Sequence, residues 1–268
     1  MADAAAVAAL VAELRTSRKY ATLDTEALAR TSAWALDRSR TRKDASKAAR
    51  RKLHQVYSAY LPAAGISEAE SAAQALGRDD LETVCRSVLA SHASTRERLA
   101  IMPEFLAAAF GALRGDVRVA DIGAGLNAFA IPWMPLSDRA EYLSVDVDER
   151  MQRLVEQLAP HVPVRVLART EDLVSAVEPL RADVALLLKV IPVVEQQAPG
   201  AAARLLSRIH ARRLVVTVSA HSLGGRKRRM REHYPVMLDR LIPEFGERQI
   251  SRYEFRSETM LILDGTHS

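Results

Sequence analysis

Five short apolar runs after Gly115, separated by stretches with helical spacing, constrain this chain more than any other feature. "VRVAD", "EYLSVDV", "PVRVLA", "DVALLLKV" and "RLVVTVSA" have strand length, and helical candidates lie between them at 148–159 and 195–211. Apolar strands alternating with helices predict an α/β fold, a mostly parallel sheet covered on both faces. The tail "ERQISRYEFRSETMLILD" reads as a closing hairpin after a helix near 227–241.

From residue 1 to about 110 the pattern is helical, with alanines, leucines and charges three and four apart. Pro62 and Gly65 are expected to separate two groups of helices. Asp44 is a candidate N-cap for "ASKAARRKLHQVYSAYL", which puts Leu53, Val56 and Tyr60 on one face and Lys47, Arg50 and Arg51 toward solvent. Ser94 followed by Glu97 has the capping-box spacing, so a helix is expected from near Thr95, with Pro103 bending it or opening a second one. The expected division is a helical domain at 1–92 and a sheet domain at 93–268.

Charge is distributed unevenly. The net charge is +5, and between Arg38 and Lys52 eight basic residues face one acid, Asp44, while "RKRRMR" forms a second block from Arg226 to Arg231. Two such blocks predict a polyanionic partner. The single cysteine, Cys85, excludes an internal disulfide and is expected to be a packed core thiol. No pair among the seven histidines has zinc spacing, His221 and His233 included, so no metal is expected, and His54 reads as a half-buried structural histidine. "VALLLKVIPVV", broken by Lys189 and Pro192, falls short of the roughly 18 residues of a membrane span, and "MADAAAVAALVAEL" reads as an amphipathic helix rather than a leader. A cytoplasmic protein with no membrane partner is expected.

"VADIGAGLNAF" closes the first strand where a doubly wound sheet binds its ligand. Gly123 and Gly125 permit a close backbone approach, but Asn127 and Ala128 stand where a dinucleotide loop would have a third glycine, and Pro132 and Pro135 shorten the following helix. A nucleoside without a pyrophosphate and with an amino-acid tail, S-adenosylmethionine, fits such a loop better. Asp146, ending the second strand, is placed to accept the ribose hydroxyls, and Asp172, after the third, to accept from the adenine amino group beside Leu173. Asp121 is expected to orient loop amides or meet the ligand's ammonium group. Lys189, closing an apolar strand, must bring its ammonium to water, a carboxylate or a ligand.

Taken in order, "LASHASTRERL", "DIGAGLNAFAIPW", "LLLKVIPVVEQQ" and "HSLGGRKRRM" give nearly the whole chain a resemblance to the aminoglycoside-resistance 16S ribosomal RNA methyltransferases of the Arm/Kgm type. That resemblance implies a class I, Rossmann-like S-adenosylmethionine-dependent methyltransferase sheet with an N-terminal helical RNA-binding domain, acting on guanine-1405 N7 in the 30S subunit. It implies that His92, Ala93 and Ser94 line the cofactor, that Arg98 pairs with the methionine carboxylate, and that Gly123 lies under the methionine. It assigns Asp146 to the ribose, Asp172 and Leu173 to the adenine, Leu188 and Gln197 to the pocket wall, and Lys189 and Arg226 to the target nucleotide and catalysis. Without the resemblance, Arg98 reads as a solvated charge near Glu97 or Glu104. Family loops often read Gly-Leu-Asn-Pro, whereas this chain has Ala128 after Asn127.

The basic residues Arg38, Arg40, Arg42, Lys43, Lys47, Arg50 and Arg51, with Arg226, Lys227, Arg228 and Arg229, are the expected rRNA contacts. Two separated basic patches predict an assembled 30S subunit as substrate, bound by a monomer. Two other readings remain open: methylation of another 16S rRNA base, such as adenine N1, and a non-catalytic ribosome-binding or assembly factor with a cofactor fold.

Overall fold

The structure, a computed structural model, describes residues 2–58, 63–219 and 248–265. Among these residues seven strands form one sheet: β1 (Arg118–Ile122), β2 (Glu141–Asp146), β3 (Arg165–Thr170), β4 (Leu180–Leu188), β5 (Ile209–Ser219), β6 (Arg248–Glu254) and β7 (Glu258–Gly265). Their order is β3-β2-β1-β4-β5-β7-β6. The first five are parallel and β7 runs antiparallel to both β5 and β6, so the expected strands and closing hairpin are all present. The order reverses between β2 and β4 on either side of β1, which opens a crevice at the carboxyl ends of these strands.

Alternation along the central strands feeds two cores. Leu186 and Leu188 of β4 pack into one with Val119, Val215 and Ile262, while Ala185 and Leu187 face the other with Ile122, Val216 and Leu263. The first core is closed by α4 (Ala63–Ala73), α5 (Leu81–Ser91), α7 (Met102–Phe110) and α8 (Glu149–Leu158), through Ala69, Val88, Phe105 and Leu154. On the opposite face α9 (Ile191–Gln197) and α10 (Ala201–Ser207) contribute Val194 and Leu205. Each buried leucine or valine contributes about 1.5–3 kcal/mol, so a strand such as β4, buried on both faces, is committed to the interior.

A third cluster lies between α1 (Ala4–Arg15), α2 (Thr25–Asp37) and α3 (Arg42–Leu53), where Leu10, Leu14, Leu28, Ala45 and Leu53 are buried together. These helices are tied to the sheet at the end of β2. Asp24 N–H donates to the Val147 carbonyl at 2.8 Å and Glu149 N–H to the Thr22 carbonyl at 2.9 Å. Helix α4 is anchored to α8 by Arg150, whose guanidinium meets Glu70 at 2.8 Å.

Several local expectations are corrected. Thr41, not Asp44, caps α3: its hydroxyl accepts from Asp44 N–H at 3.2 Å and donates to the Asp44 carboxylate at 2.7 Å, so the helix starts three residues earlier than a cap at Asp44 would set it. Ser94 caps nothing. Helix α6 (Ala93–Leu99) begins before it, with His92 at the N-cap position and no side-chain cap bond, and the Thr95 hydroxyl donates back to the Leu89 carbonyl at 2.6 Å. Pro103 does open a new helix, α7. Gly65 lies inside α4 rather than between helix groups. The stretch expected as one helix at 195–211 divides into the end of α9, α10 and the start of β5, because Pro199 and the left-handed Gly200 (φ +74°) break it. His54, expected half-buried, is exposed, as the chain beyond Leu53 widens into a π-helical turn. Pro62, Tyr60, His221, His233 and the helix expected near 227–241 lie outside the described residues.

Candidate functional site

The crevice holds a cleft, part of it open to solvent. Its floor is the turn after β1. Gly123 (φ +74°) and Gly125 (φ +54°) adopt left-handed backbone angles that ordinary side chains resist. The Gly123 and Ala124 amides donate to the Val145 carbonyl at 2.8 and 3.0 Å, and the Gly125 amide to the Asp146 carboxylate at 2.8 Å. A β-carbon at Gly123 would lie 2.5 Å from Val190 Cγ2, so the glycine is what lets the turn pass the opposite wall. After the turn the chain makes a 3-10 helix over Asn127–Trp133 instead of an α-helix, with Ala128 fully buried.

Of the residues expected around a cofactor, His92, Ser94, Arg98, Gly123, Asp146, Asp172, Leu173, Leu188 and Gln197 all line this cleft, and so does Lys189. Ala93 does not; it opens α6 between two lining neighbours. Arg226, Lys227, Arg228 and Arg229 lie outside the described residues. Val56 of the π-helical turn, Thr95 and Asn127 also line the cleft, though none was expected to touch a cofactor, and Met151, Val193 and Val194 join them with no sequence signal.

Burial tunes the acids and bases here. Asp146 accepts from the amides of Gly125 (2.8 Å) and Asp148 (3.1 Å), one on each oxygen, yet burial pushes its carboxyl up to about 6. The Val147 amide acts on the same carboxylate, which still has acceptor capacity for a ligand donor. His92 is driven the other way: burial, followed by the nearby Arg98, Lys189 and Arg96, lowers it to about 4, so it is neutral near pH 7, and its buried Nδ1 has no partner among the described residues. Asp121 is fully buried and does not line the cleft. It acts instead through a side chain, accepting from Tyr142 and from Asn127 Nδ2 (2.8 Å) and so aiming Asn127 Oδ1 at Arg98 Nη1, 3.1 Å away.

Arg98 is not the solvated charge that sequence alone allowed. Only 3% exposed, it meets Glu258 of β7 through Nε and Nη2, both at 3.1 Å, and lies over the Phe105 ring. Lys189 Nζ stands 2.8 Å from Glu97 and 3.8 Å from Glu258, so the strand-ending ammonium does find carboxylates. Burial by itself would raise the Glu258 carboxyl, but Arg98 and Lys189 outweigh it and hold it below the usual glutamate range. Lys189 is also the one non-glycine residue among those described with a left-handed backbone (φ 62°), held by its N–H donating to Thr217 O and Oγ1, both at 3.1 Å. Such a conformation costs about 1–3 kcal/mol and places the lysine at the cleft rather than along the strand.

The acid end of the cleft carries a contact that no sequence signal indicated. Arg30 of α2 reaches Asp172 through Nε (2.8 Å) and Nη2 (2.9 Å), and Gln197 Oε1 through Nη2 at 2.6 Å. Lys52 of α3 donates to the Gln197 carbonyl at 2.9 Å, with its ammonium 4.2 Å from the Trp34 ring centre. The remaining expected RNA contacts are on or before α3: Arg40, Lys43, Lys47 and Arg51 are exposed, Arg38 lies over Trp34, and Arg42 and Arg50 reach Glu13 at 3.4 and 3.8 Å. Among the described residues no group of three His, Cys, Asp or Glu is arranged to hold a metal, and no helix is long and apolar enough to cross a membrane. Cys85 is fully buried in the core, its thiol pushed up to about 12 by burial.

Parallel strands in this order with an antiparallel β7, and a glycine turn leading to an acid at the end of β2, define a class I methyltransferase. The chain belongs to the ribosomal RNA methyltransferase (FmrO) family, whose profile matches residues 16–262. It is 34% identical over 238 residues to a 16S rRNA (guanine(1405)-N(7))-methyltransferase of Frankia casuarinae, covering 86% of this chain and 84% of that one. A protein of the same description from Micromonospora rosea is 31% identical over 254 residues, 92% of each chain. Among solved structures, the 16S rRNA methyltransferase RmtF in complex with S-adenosyl-L-homocysteine superposes with a TM-score of 0.83 at 31% identity, covering 99% of this chain and all of that one. The 16S rRNA methylase RmtB shares the fold, with a TM-score of 0.80 at 23% identity over 97% and 98% of the two chains.

Proposed function

We propose that this enzyme transfers a methyl group from S-adenosylmethionine to N7 of guanine-1405 in the 16S rRNA of the 30S subunit, and thereby confers resistance to kanamycin- and gentamicin-type aminoglycosides. The observation that carries the reading is the joint one: relatives of that description match at 31–34% identity over more than four-fifths of both chains, and the cleft has a glycine turn as its floor with an acid at the end of β2. The residues present fit the cofactor, for the Asp146 carboxylate keeps acceptor capacity, His92 Nδ1 has no partner among the described residues, and the bonds of Arg98 to Glu258 and Asn127 use three of its five N–H donors. In this reading Asp146 takes the ribose, Arg98 the methionine carboxylate, and Asp172 with Leu173 the adenine.

S-adenosylmethionine supplies the electrophilic methyl group. Guanine N7 already carries a lone pair in the ring plane, so no residue has to act as base or as covalent nucleophile. The protein's work is orientation, worth on the order of 7–11 kcal/mol when a nucleophile is held in line. Because N7 is stacked in the rRNA helix, the guanosine is expected to turn out of its stack, at a few kcal/mol. Lys189 and Arg226 then hold O6 or phosphate and not N7 itself, since a cation beside N7 would oppose the charge arriving there.

The helical part, residues 1–92, is proposed as the docking domain and 93–268 as the methyltransferase domain, the exposed basic residues of α3 meeting phosphates. The protein acts as a monomer, without metal, where 30S subunits are, in the cytoplasm. Radiolabelled methyl transfer to purified 30S subunits, followed by mapping of the modified base, tests the reading. Label at guanine-1405 N7 is expected; label at an adenine, or none, overturns it. Lys189→Ala and Arg226→Ala are expected to abolish labelling while S-adenosylhomocysteine still binds.

A further inference from the structure

Asp172 stands two residues beyond β3, and its carboxylate is 2% exposed. Its own turn offers little: Ser175 Oγ donates at 2.8 Å and the Val174 amide at 3.4 Å. A carboxylate so placed needs strong donors to replace the water it has lost. Arg30 meets it from a helix 142 residues away in sequence, with two parallel bonds that fix the carboxylate plane. The same Nη2 binds Gln197 Oε1, so one guanidinium ties together α2, the turn after β3, and α9, two of which are walls of the cleft.

We infer that Arg30 is a positioning residue for the cofactor cleft, holding the Asp172 carboxylate oriented so that it accepts from an amino group on the bound base and rejects a carbonyl there. The inference rests on the S-adenosylmethionine reading. On Asp172 the Arg30 fork takes one edge and Ser175 takes a further site on Oδ2, while Oδ1 has beyond the fork only the long Val174 contact, so Oδ1 is the acceptor left for a ligand. Without the fork the carboxylate would be free to turn away from the ligand's amino group, and the preference for adenine over hypoxanthine would fade. Lysine cannot replace the fork, because a point charge leaves the carboxylate free to rotate.

The test is calorimetric titration of the full chain with S-adenosylhomocysteine and with S-inosylhomocysteine, which carries oxygen in place of the amino group. The unaltered protein is expected to prefer the adenosyl ligand by on the order of ten-fold or more. Arg30→Gln should weaken adenosyl binding by about ten-fold and inosyl binding by less than about two-fold, and Arg30→Lys should recover only part of the preference. Equal weakening of both ligands, as a merely structural role would give, overturns the inference, and so does a preference unchanged by Arg30→Gln. If Arg30→Gln does not melt cooperatively, Arg30→Lys decides alone: a fully retained preference overturns it. An unaltered protein that binds neither ligand overturns the cofactor reading itself, and this inference with it.

Discussion

Cofactor affinity should fall steeply in mild acid while the fold does not. In this reading Asp146 must be ionised to accept from ribose hydroxyls, and burial has pushed its carboxyl up to about 6 despite the backbone amides of Asp148, Gly125 and Val147. Binding should therefore be flat above about pH 7 and weaken about ten-fold at pH 5, as the protonated fraction grows. Across that window the ligand's own ammonium and carboxylate keep their charge. Stability follows different signs. The Asp146 carboxyl is raised in the folded state, so the folded chain binds the extra proton and gains stability as pH falls from about 6 toward 4, up to about 3 kcal/mol. His92 is lowered from 6.5 to about 4, so the unfolded chain binds the proton first and stability is lost over nearly the same interval, again about 3 kcal/mol. The two offset each other, leaving the melting temperature nearly level between pH 7 and 5 while cofactor affinity drops. Titration calorimetry with S-adenosylhomocysteine at half-unit steps, alongside thermal melts, reads both quantities. Asp146→Asn should bind weakly at every pH and show no slope. An affinity constant from pH 7 to 5 in the unaltered protein would refute the reasoning.

Glu258→Ala should leave Arg98 and Lys189 buried without their shared carboxylate and cost about 3–5 kcal/mol, with Glu258→Gln milder; a melting temperature within two degrees of the parent would contradict it. Because the folded-state value of Glu258 is depressed, its contribution should be present above its ordinary pKa of 4.5 and vanish as pH falls below that, visible as loss of the difference between parent and variant in acid melts. Gly123→Ala forces a left-handed alanine and a 2.5 Å contact with Val190, together about 2–4 kcal/mol, and should lower the melting temperature on the order of 10 °C and abolish cofactor binding. Binding to 30S subunits should fall with salt, and Lys47→Gln with Arg51→Gln should reduce the log–log slope by roughly 1.5, more than Arg42→Gln with Arg50→Gln, whose side chains already reach Glu13.

Most of the sheet was legible because strand signals are local. The runs "VRVAD" and "DVALLLKV" carry their own hydrophobic pattern, and the acids that end β2 and follow β3 are set at fixed positions by strand length. Helix starts were read less well. Thr41 outcompeted Asp44 as a cap by lying one turn earlier, and Ser94 had no cap to make, since α5 runs into α6 with only His92 between them. Within the cleft, residues next to a motif were found and residues brought from elsewhere were not. Glu258 had a signal that went unused: an acid opening the apolar run "ETMLIL" must find a cation once buried, the same rule that singled out Lys189. Arg30 had none, since an arginine in a polar-faced helix looks like any solvated charge.

By itself the sequence determined what each segment would become and which chemistry it carried: parallel strands from apolar runs, a nucleoside turn from two glycines, a basic face from α3. Those are consequences of short-range spacing, which backbone geometry converts directly into direction. Tertiary structure alone decided which charges meet. Arg98 is 160 residues from Glu258 and Arg30 is 142 from Asp172, and no local pattern encodes such pairings. They arise because desolvated ions in a packed interior must be neutralised by whatever the folded topology brings within about 3 Å, and here it brings the N-terminal helices and the last strand to the two ends of one cleft.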